Sequence, residues 1–161
     1  MQAAHQSRLQ RIIRPYQETD ETEVIGVWHR SGLATYPYLP TWQAFTLETA
    51  AYVFRTIIRP SAAIWVGVLD GRVVAYLAMQ GSSIDRLYVD PPEWHKGWGR
   101  RFIRLAKELS PSRLELYTHQ ENHAARALYE SEGFRAVKFG ISPPPESAPD
   151  VEYHWRPPQA T

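Results

Sequence analysis

Residues 89–105, Val-Asp-Pro-Pro-Glu-Trp-His-Lys-Gly-Trp-Gly-Arg-Arg-Phe-Ile-Arg-Leu, are the most informative stretch of this sequence. An apolar strand ending at Val89 meets two prolines, and a short basic loop then carries Gly97 and Gly99 into an amphipathic helix. Glycines at such a turn let an anion approach the backbone, and the free N–H groups of the helix's first turn point towards it. The stretch therefore predicts a phosphate-binding loop, although two glycines before a helix also fit a tight turn without a ligand.

The helix after this loop is supported by its own pattern. Apolar side chains recur on one stripe, at Phe102, Ile103, Ala106 and Leu109, and Ser110-Pro111 provides a stop signal. Two common phosphate loops do not fit, because the dinucleotide fingerprint needs a third glycine where Phe102 stands and the Walker Gly-Lys-Ser/Thr is missing. Arg100 and Arg101 oppose the helix dipole by about 0.3–1 kcal/mol, a conflict that a bound polyanion would remove.

A second informative segment covers residues 114–134. Residues 114–118 alternate between apolar and polar side chains, as in a half-buried strand. Asn122 is a suitable N-cap for the next helix, and Gly133 suits its C-cap. Tyr129 falls on the inward face of that helix, and by pattern alone it is a core aromatic with its hydroxyl at the surface.

Together the two segments resemble the GNAT superfamily of acyl-CoA-dependent N-acetyltransferases. The first family hallmark is an aliphatic strand end, a proline and a basic loop of the form Arg/Gln-x-x-Gly-x-Gly/Ala, matched here by Val89, Pro91, His95, Lys96, Gly97, Trp98 and Gly99. Trp94 stands where the family has Arg or Gln, which is a departure from the pattern. The second hallmark, Asn-x-x-Ala-x-x-x-Tyr-x-x-x-Gly-Phe, is present in full as Asn122, Ala125, Tyr129, Gly133 and Phe134. The resemblance extends over about residues 10–155.

The predicted order of elements along the chain is β-α-α-β-β-β-α-β-α-β-β. Its clearest local signal is Asp70-Gly71, a hairpin turn between strands predicted over 63–69 and 72–79. The resemblance implies an α/β (α+β) GNAT fold, a mixed, mostly antiparallel sheet of about seven strands with helices on both faces. It also implies that the fourth and fifth strands, ending near Val89 and Thr118, splay apart and hold the thioester between them.

Composition excludes several classes of protein. A chain of 161 residues, 43% of them hydrophobic, is expected to form a single GNAT domain over 1–161, with its core at about 10–156 and a disordered tail at 157–161. A net charge of +1 gives no reason to expect nucleic acid or an anionic membrane. No segment approaches the ~20 apolar residues of a membrane span, and Met1 to Gln10 lacks a signal-peptide core. The chain has no cysteine and therefore no thiolate metal site, and we expect no metal. Without a disulfide framework, a signal peptide or a membrane span, a cytoplasmic protein is the default expectation.

The resemblance implies acetyl-CoA as the acyl donor and assigns residues to it. The backbone N–H groups of residues 95–100 are expected to hold the pyrophosphate, with added charge from Lys96 and Arg100. The backbone of Leu87 to Val89 is expected to pair with the pantetheine amides like an added strand. The full set of implied cofactor-binding residues is Leu87, Tyr88, Val89, His95, Lys96, Gly97, Trp98, Gly99, Arg100, Asn122 and Ala125.

The chemistry needs a base, an oxyanion donor and an acid. Removing a proton from an amine of pKa near 10 costs roughly 4–5 kcal/mol at neutral pH. Family likeness assigns the oxyanion donor to the N–H of about Val89, and the acid to Tyr129. Strand parity with Leu87 and Val89 makes Asp85 the candidate base, but a surface aspartate paired with Arg86 fits equally. His119 has a suitable intrinsic pKa but also fits a solvated loop histidine, and His29 and Glu48 are further candidates.

The acceptor site is less defined by the sequence. The resemblance implies that the first two helices and the last loop wall the acceptor site, and the residues found there are Trp28, Tyr36, Tyr38, Leu39, Trp42 and the proline-rich segment 142–149. Such a wall suits an apolar or cationic amine, although the same rings also fit packing of the helices onto the sheet. We predict acetyl transfer to the primary amine of a small molecule or peptide by direct attack in a ternary complex. Two alternative functions fit the sequence as well: a non-catalytic acyl-CoA sensor and an unrelated nucleotide-binding domain. A homodimer is a further possibility for the assembly of the protein.

Overall fold

A computed structural model describes residues 10–159 of the chain. The strands are β1 Arg11–Pro15, β2 Ala63–Leu69, β3 Arg72–Gln80, β4 Ser83–Val89, β5 Leu114–His119, β6 Arg135–Ile141 and β7 Pro149–Trp155. The helices are α1 Glu21–Thr35, α2 Pro40–Gln43, α3 Leu47–Val53, α4 Arg59–Ser61, α5 Trp98–Leu109 and α6 His123–Ser131. Residues 1–9, where most of the segment tested for a signal peptide falls, and residues 160–161 of the expected tail lie outside the described residues.

Seven strands form one sheet in the order β1-β2-β3-β4-β5-β7-β6. All neighbours are antiparallel except β4 and β5, which are parallel and share the register pair Ser83 with Glu115. Beyond that pair the two strands diverge, which confirms the predicted splay and the predicted fold class. The divergence leaves backbone groups of β4 without a strand partner on one edge.

The predicted hairpin is confirmed. Asp70 and Gly71 join β2 to β3 and both have positive φ, 49° and 80°, as a two-residue type I′ turn requires. The pattern of Phe54, Ile57 and Ile58 predicts a second helix at about 44–58, and the structure differs from this prediction. The helical segment begins at Leu47, capped by the Thr46 hydroxyl, and continues through a π-helical stretch to Ser61, because Pro60 has no N–H to continue the α-helical ladder.

A β-bulge in β4 changes which side chains face the cofactor side of the sheet. Met79 pairs with Ile84 and Ala78 pairs with Arg86, so Asp85 is an extra residue without a partner in β3. Ile84 and Leu87 therefore contact the same core even though simple alternation would put them on opposite faces. Strand parity therefore does not decide the direction of the Asp85 side chain, and Asp85 as the base stays a prediction.

The sheet separates two cores. On one face α5 packs with Phe102, Ile103 and Ala106 fully buried, as predicted, but Leu109 at its last turn is 44% exposed. On the other face α1 contributes Val24, Val27 and Trp28 to a core that also holds residues of α2 and α3. The functional cleft lies at the edge of both cores, where the sheet opens.

Candidate active site

A cleft of about 1460 Å³ opens where β4 and β5 diverge. Its walls come from the end of α1, β4, the loop before α5, the end of β5, the start of α6 and the segment 140–152. The predicted cofactor residues that line it are Leu87, Tyr88, Val89, His95, Gly97, Trp98, Gly99, Arg100, Asn122 and Ala125. The topology thus brings the two sequence motifs to one cavity.

The N-terminus of α5 has the geometry of an anion-binding turn. Gly97 is its N-cap with φ of +89°, and among the described residues no side chain caps this end of the helix. The Arg101 N–H donates to the Gly97 carbonyl, so the N–H groups before it in the first turn have no intrahelical partner. A side chain at Gly99 would bring its Cβ to 2.8 Å from Leu128 of α6, so glycine is what allows the two helices this close.

Two carboxylates, those of Glu93 and Glu132, bind cationic side chains of the loop and of the first turn of α5. Glu93 is 5% exposed and accepts hydrogen bonds from Lys96 Nζ at 2.8 Å and Trp98 Nε1 at 3.2 Å. The Lys96 ammonium, followed by the Trp98 indole, keeps the pKa of Glu93 below its usual value despite burial. Arg100 in turn donates to Glu132 at 2.6 Å. Both cations expected to face the phosphates are paired within the protein, which leaves the anion chiefly to the backbone N–H groups.

Trp94, the departure from the family pattern, bonds to the strand edge. Its indole Nε1 donates to the Val89 carbonyl at 2.6 Å. Because the Asp90 N–H donates to Val74 of β3 at 2.7 Å, alternation turns the backbone groups of Val89 and Leu87 away from β3 and towards the cleft. Trp94 binds one of these groups, the Val89 carbonyl. The Val89 N–H and the N–H and carbonyl of Leu87 still face the cleft.

Tyr129 lies in the cleft on α6. Its residue exposure is 8%, and its ring packs against Phe134 and Tyr153 with centroid distances of 5.7 and 6.0 Å. Burial, with a smaller contribution from Tyr88, raises the pKa of the Tyr129 phenol well above its usual value. The hydroxyl is therefore held in its protonated form at neutral pH, in a fixed orientation.

Asn122 joins the start of α6 to the end of α1. Its Oδ1 accepts from the Ala125 N–H at 3.2 Å, which confirms the predicted cap, and its Nδ2 donates to the Tyr36 hydroxyl at 3.1 Å. The Tyr36 ring lies 4.5 Å from the His119 ring. These contacts set one wall of the cleft beside Tyr129.

His119 and Glu146 are in hydrogen-bonding contact inside the cleft. Their Nε2 and Oε2 atoms are 2.7 Å apart, and the His119 side chain is 12% exposed. The hydrogen bond from His119 is the main cause that lowers the pKa of Glu146. A histidine held by a carboxylate has the tautomer and orientation of a proton acceptor.

The other candidate bases are placed differently. Asp85 lines the cleft, with its Oδ2 3.5 Å from Arg86 Nε, so the predicted alternative of a pair with Arg86 is what the structure has. The His29 ring nitrogen lies 2.7 Å from the Phe45 carbonyl. Glu48 is exposed on α3, and neither His29 nor Glu48 lines the cleft.

The predicted aromatic wall is mostly core. Of the four rings only Tyr36 lines the cleft. Trp42 is 5% exposed and packs so closely on α1 that a Cβ at Gly32 would lie 2.0 Å from its ring, which is why Gly32 is needed there. Trp28 is buried against Trp42, and Tyr38 is 52% exposed at the surface. For Trp28, Tyr38 and Trp42 the prediction of direct acceptor contact is therefore wrong.

Sequence reasoning does not identify the cleft residue Arg86 as a site residue and suggests it only as a partner for Asp85. Regular alternation already places Arg86 on the face of Tyr88, opposite Leu87, but nothing in the pattern shows that a cleft opens beside it. Glu146 is covered only by the expectation that segment 142–149 walls the acceptor site, because its position depends on contacts with β5.

The chain matches the family model of the acetyltransferase (GNAT) family over residues 16–134. This chain belongs to the GNAT family. It is 28% identical over 126 residues to the peptidyl-lysine N-acetyltransferase YjaB of Salmonella typhimurium, covering 78% of this chain and 83% of that protein.

Solved GNAT structures have the same fold. The solution structure of apo-form YjaB from Escherichia coli superposes with a TM-score of 0.75 at 22% identity, covering 90% of this chain and 97% of that one. The structure of yncA from Salmonella typhimurium with its cofactor acetyl-CoA has a TM-score of 0.71 at 13% identity, covering 94% and 96%.

Residues 10–159 contain neither a membrane-spanning helix nor a metal-binding cluster. Within this range no helix combines the length and apolar character needed to cross a membrane. Nor do three His, Asp or Glu side chains in the same part of the chain come together in a way that could hold a metal ion.

Proposed function

We propose that this protein transfers an acetyl group from acetyl-CoA to the primary amine of a small molecule or peptide, by direct attack in a ternary complex. One observation carries the proposal: the uncapped N-terminus of α5 and the buried Tyr129 hydroxyl share the cleft between β4 and β5. An anion site and a proton donor in one cleft are what transfer from a phosphate-bearing thioester requires.

The described residues fit acetyl-CoA. The N–H groups at the start of α5 suit the pyrophosphate, since glycine at 97 supplies the left-handed turn and no capping side chain competes there. The free backbone groups of Leu87 and the Val89 N–H would pair with the pantetheine amides and the acyl oxygen. Acetyl-CoA supplies an activated acyl carbon, and the protein's own groups do the rest.

Each remaining step has a named group. The neutral His119 imidazole, with its Nε2–H directed to Glu146, would accept the proton of the acceptor ammonium at Nδ1, and Asp85 is the second candidate for this role. The Val89 N–H would donate to the oxygen on which negative charge develops as the new C–N bond forms. Tyr129 would give its proton to the sulfur as the C–S bond breaks, since the phenol is protonated at neutral pH and lines the cleft.

A similar protein supports the choice of a primary amine as the acceptor. YjaB is a peptidyl-lysine N-acetyltransferase, and it covers most of the present chain at 28% identity. A lysine side chain and a small primary amine pose the same chemical problem, so both stay within the proposal.

The test measures CoA release from acetyl-CoA across a panel of amines and lysine peptides. In Tyr129→Phe we expect kcat to fall about 100-fold or more while CoA affinity changes less than about twofold. Tyr52→Phe, a tyrosine 67% exposed on α3, is the matched control and keeps full activity.

Two results would contradict the proposal. CoA binding without turnover on any amine would indicate an acyl-CoA sensor. Tighter binding of ATP or NAD than of acetyl-CoA in a thermal-shift assay would indicate a different nucleotide site.

A further inference from the structure

Arg86 is a half-buried cation that lines the cleft. It pairs with Ala78 in the register of β4 and β3, on the face covered by α1. Its guanidinium lies over the Trp28 ring at 4.8 Å from the centroid, and its side chain is 25% exposed. The contact with a buried indole restricts the movement of the guanidinium beside the cleft.

The guanidinium is not satisfied by the protein. Its Nε is buried and makes no hydrogen bond within the described residues. The nearest carboxylate oxygen, Asp85 Oδ2, lies 3.5 Å away and forms only a loose ion pair, outside hydrogen-bonding geometry. The two terminal nitrogens also make no hydrogen bond within the described residues, and unlike Nε they are not enclosed, so an acceptor from outside would bind there.

The charges around Arg86 come from three elements. Asp85 precedes it on β4, Glu146 faces it from the loop before β7, and His119 pairs with Glu146 from the end of β5. Glu146 is already held by His119 at 2.7 Å, and Asp85 is part of the bulge. The acceptor side therefore presents a cation with an open donor edge beside a carboxylate–imidazole pair.

We propose that Arg86 binds a carboxylate of the acceptor, so that the substrate is an amine that also carries a carboxylate. This inference rests on the proposed acetyl transfer and narrows its acceptor. The carboxylate would accept from the two terminal nitrogens of Arg86, a two-point geometry that guanidinium groups favour. The amine of the same molecule would then lie towards His119 and Glu146, where its proton is removed.

Two sources offer this chemistry, a free amino acid and the C-terminal carboxylate of a peptide. The experiment compares free L-amino acids with their α-amides, and lysine peptides ending in a free carboxylate with the same peptides amidated. Each is tested on wild type, Arg86→Gln, Arg86→Lys and the control Arg113→Gln, an exposed arginine outside the cleft. The readout is kcat/KM by CoA release, with CoA affinity measured in parallel.

We expect wild type to prefer the carboxylate member of at least one pair by about 10- to 100-fold, and Arg86→Gln to abolish that preference. Arg86→Gln should lose far more turnover of the acids than of the amides while it keeps its affinity for CoA, Arg86→Lys should keep only part of the preference, and Arg113→Gln should match wild type. The preferred pair identifies the source of the carboxylate.

An active wild type that treats acids and amides alike overturns this inference and leaves the acetyltransferase proposal intact. The inference is equally overturned if Arg86→Gln keeps the preference. If Arg86→Gln fails to fold, the wild-type comparison decides alone. A wild type that binds CoA and acetylates nothing defeats both proposals.

Discussion

The indole N–H of Trp94 donates a hydrogen bond to the carbonyl oxygen of Val89 at 2.6 Å, so a side chain from the phosphate loop fixes the end of β4. The bond ties the segment expected to hold the pyrophosphate to the strand edge expected to meet the pantetheine arm. The departure from Arg or Gln at this position is thereby explained, because tryptophan still supplies an N–H donor to the strand.

Removing that donor should loosen the loop. In Trp94→Phe we expect CoA to bind about fivefold more weakly, since a hydrogen bond of this kind contributes roughly 1 kcal/mol. Trp94→Gln, which restores a family residue and keeps an N–H, should stay within about twofold of wild type. Titration calorimetry with CoA measures both. Equal affinity in all three proteins would show that the bond has no part in holding the cofactor.

The role of Gly97 in binding can be distinguished from the role of a glycine that only allows a turn, such as Gly71. Gly97 and Gly71 have φ of +89° and +80°, and a Cβ at either would meet nothing within 4 Å. Alanine at either position should therefore cost a similar amount, about 1–2 kcal/mol of unfolding free energy, from backbone strain alone.

Gly97→Ala should in addition lose CoA affinity by about tenfold, because the strained turn no longer directs its N–H groups at the phosphates, whereas Gly71→Ala should bind CoA normally. Urea unfolding and calorimetry together make the comparison. A loss of CoA affinity in Gly71→Ala as well would trace the effect to general destabilisation.

The His119–Glu146 pair predicts a catalytic effect at neutral pH. Glu146→Gln removes the carboxylate that orients the imidazole, and we expect kcat/KM at about pH 7 to fall about 10- to 100-fold with CoA affinity unchanged. Asp85→Asn provides the comparison for the competing base. A larger loss in Asp85→Asn than in Glu146→Gln would assign proton removal to Asp85 instead.

Glu93 predicts a pH dependence of stability. Its pKa is lowered in the folded state, chiefly by the bond from Lys96, so its carboxylate stabilises the fold above the ordinary glutamate pKa of about 4.3 and ceases to do so as pH falls through the lower, folded value. Glu93→Gln should therefore be less stable than wild type by about 1–3 kcal/mol at neutral pH. The gap should close below about pH 4, which urea unfolding at both pH values can measure. A gap that is constant with pH would attribute the loss to packing.

Local patterns were enough for much of the fold. The two positive-φ residues of the 70–71 turn, the Asn122 cap and the glycines before α5 each depend on neighbours within a few positions, and each is in the predicted place. The phosphate-loop and α6 motifs are also local, which is why one cleft could be anticipated from two short segments.

The acceptor side depends on long-range packing and was predicted poorly. The bulge at Asp85 turns Ile84 to the face of Leu87 without any glycine or proline to mark it. Trp42 enters the core because Gly32, ten positions earlier on another helix, leaves room for the ring. Glu146 meets His119 only because the segment before β7 folds back over β5.

The parting of β4 from β5 divides the sheet into a four-stranded half and a three-stranded half with little backbone bonding between them. A ligand whose amides paired with the free edge of β4 would add hydrogen bonds between the two halves, which otherwise meet through one register pair and side-chain packing. Its binding energy would add to the free energy of unfolding. Ligand binding should therefore raise the melting temperature of the protein as well as start the reaction.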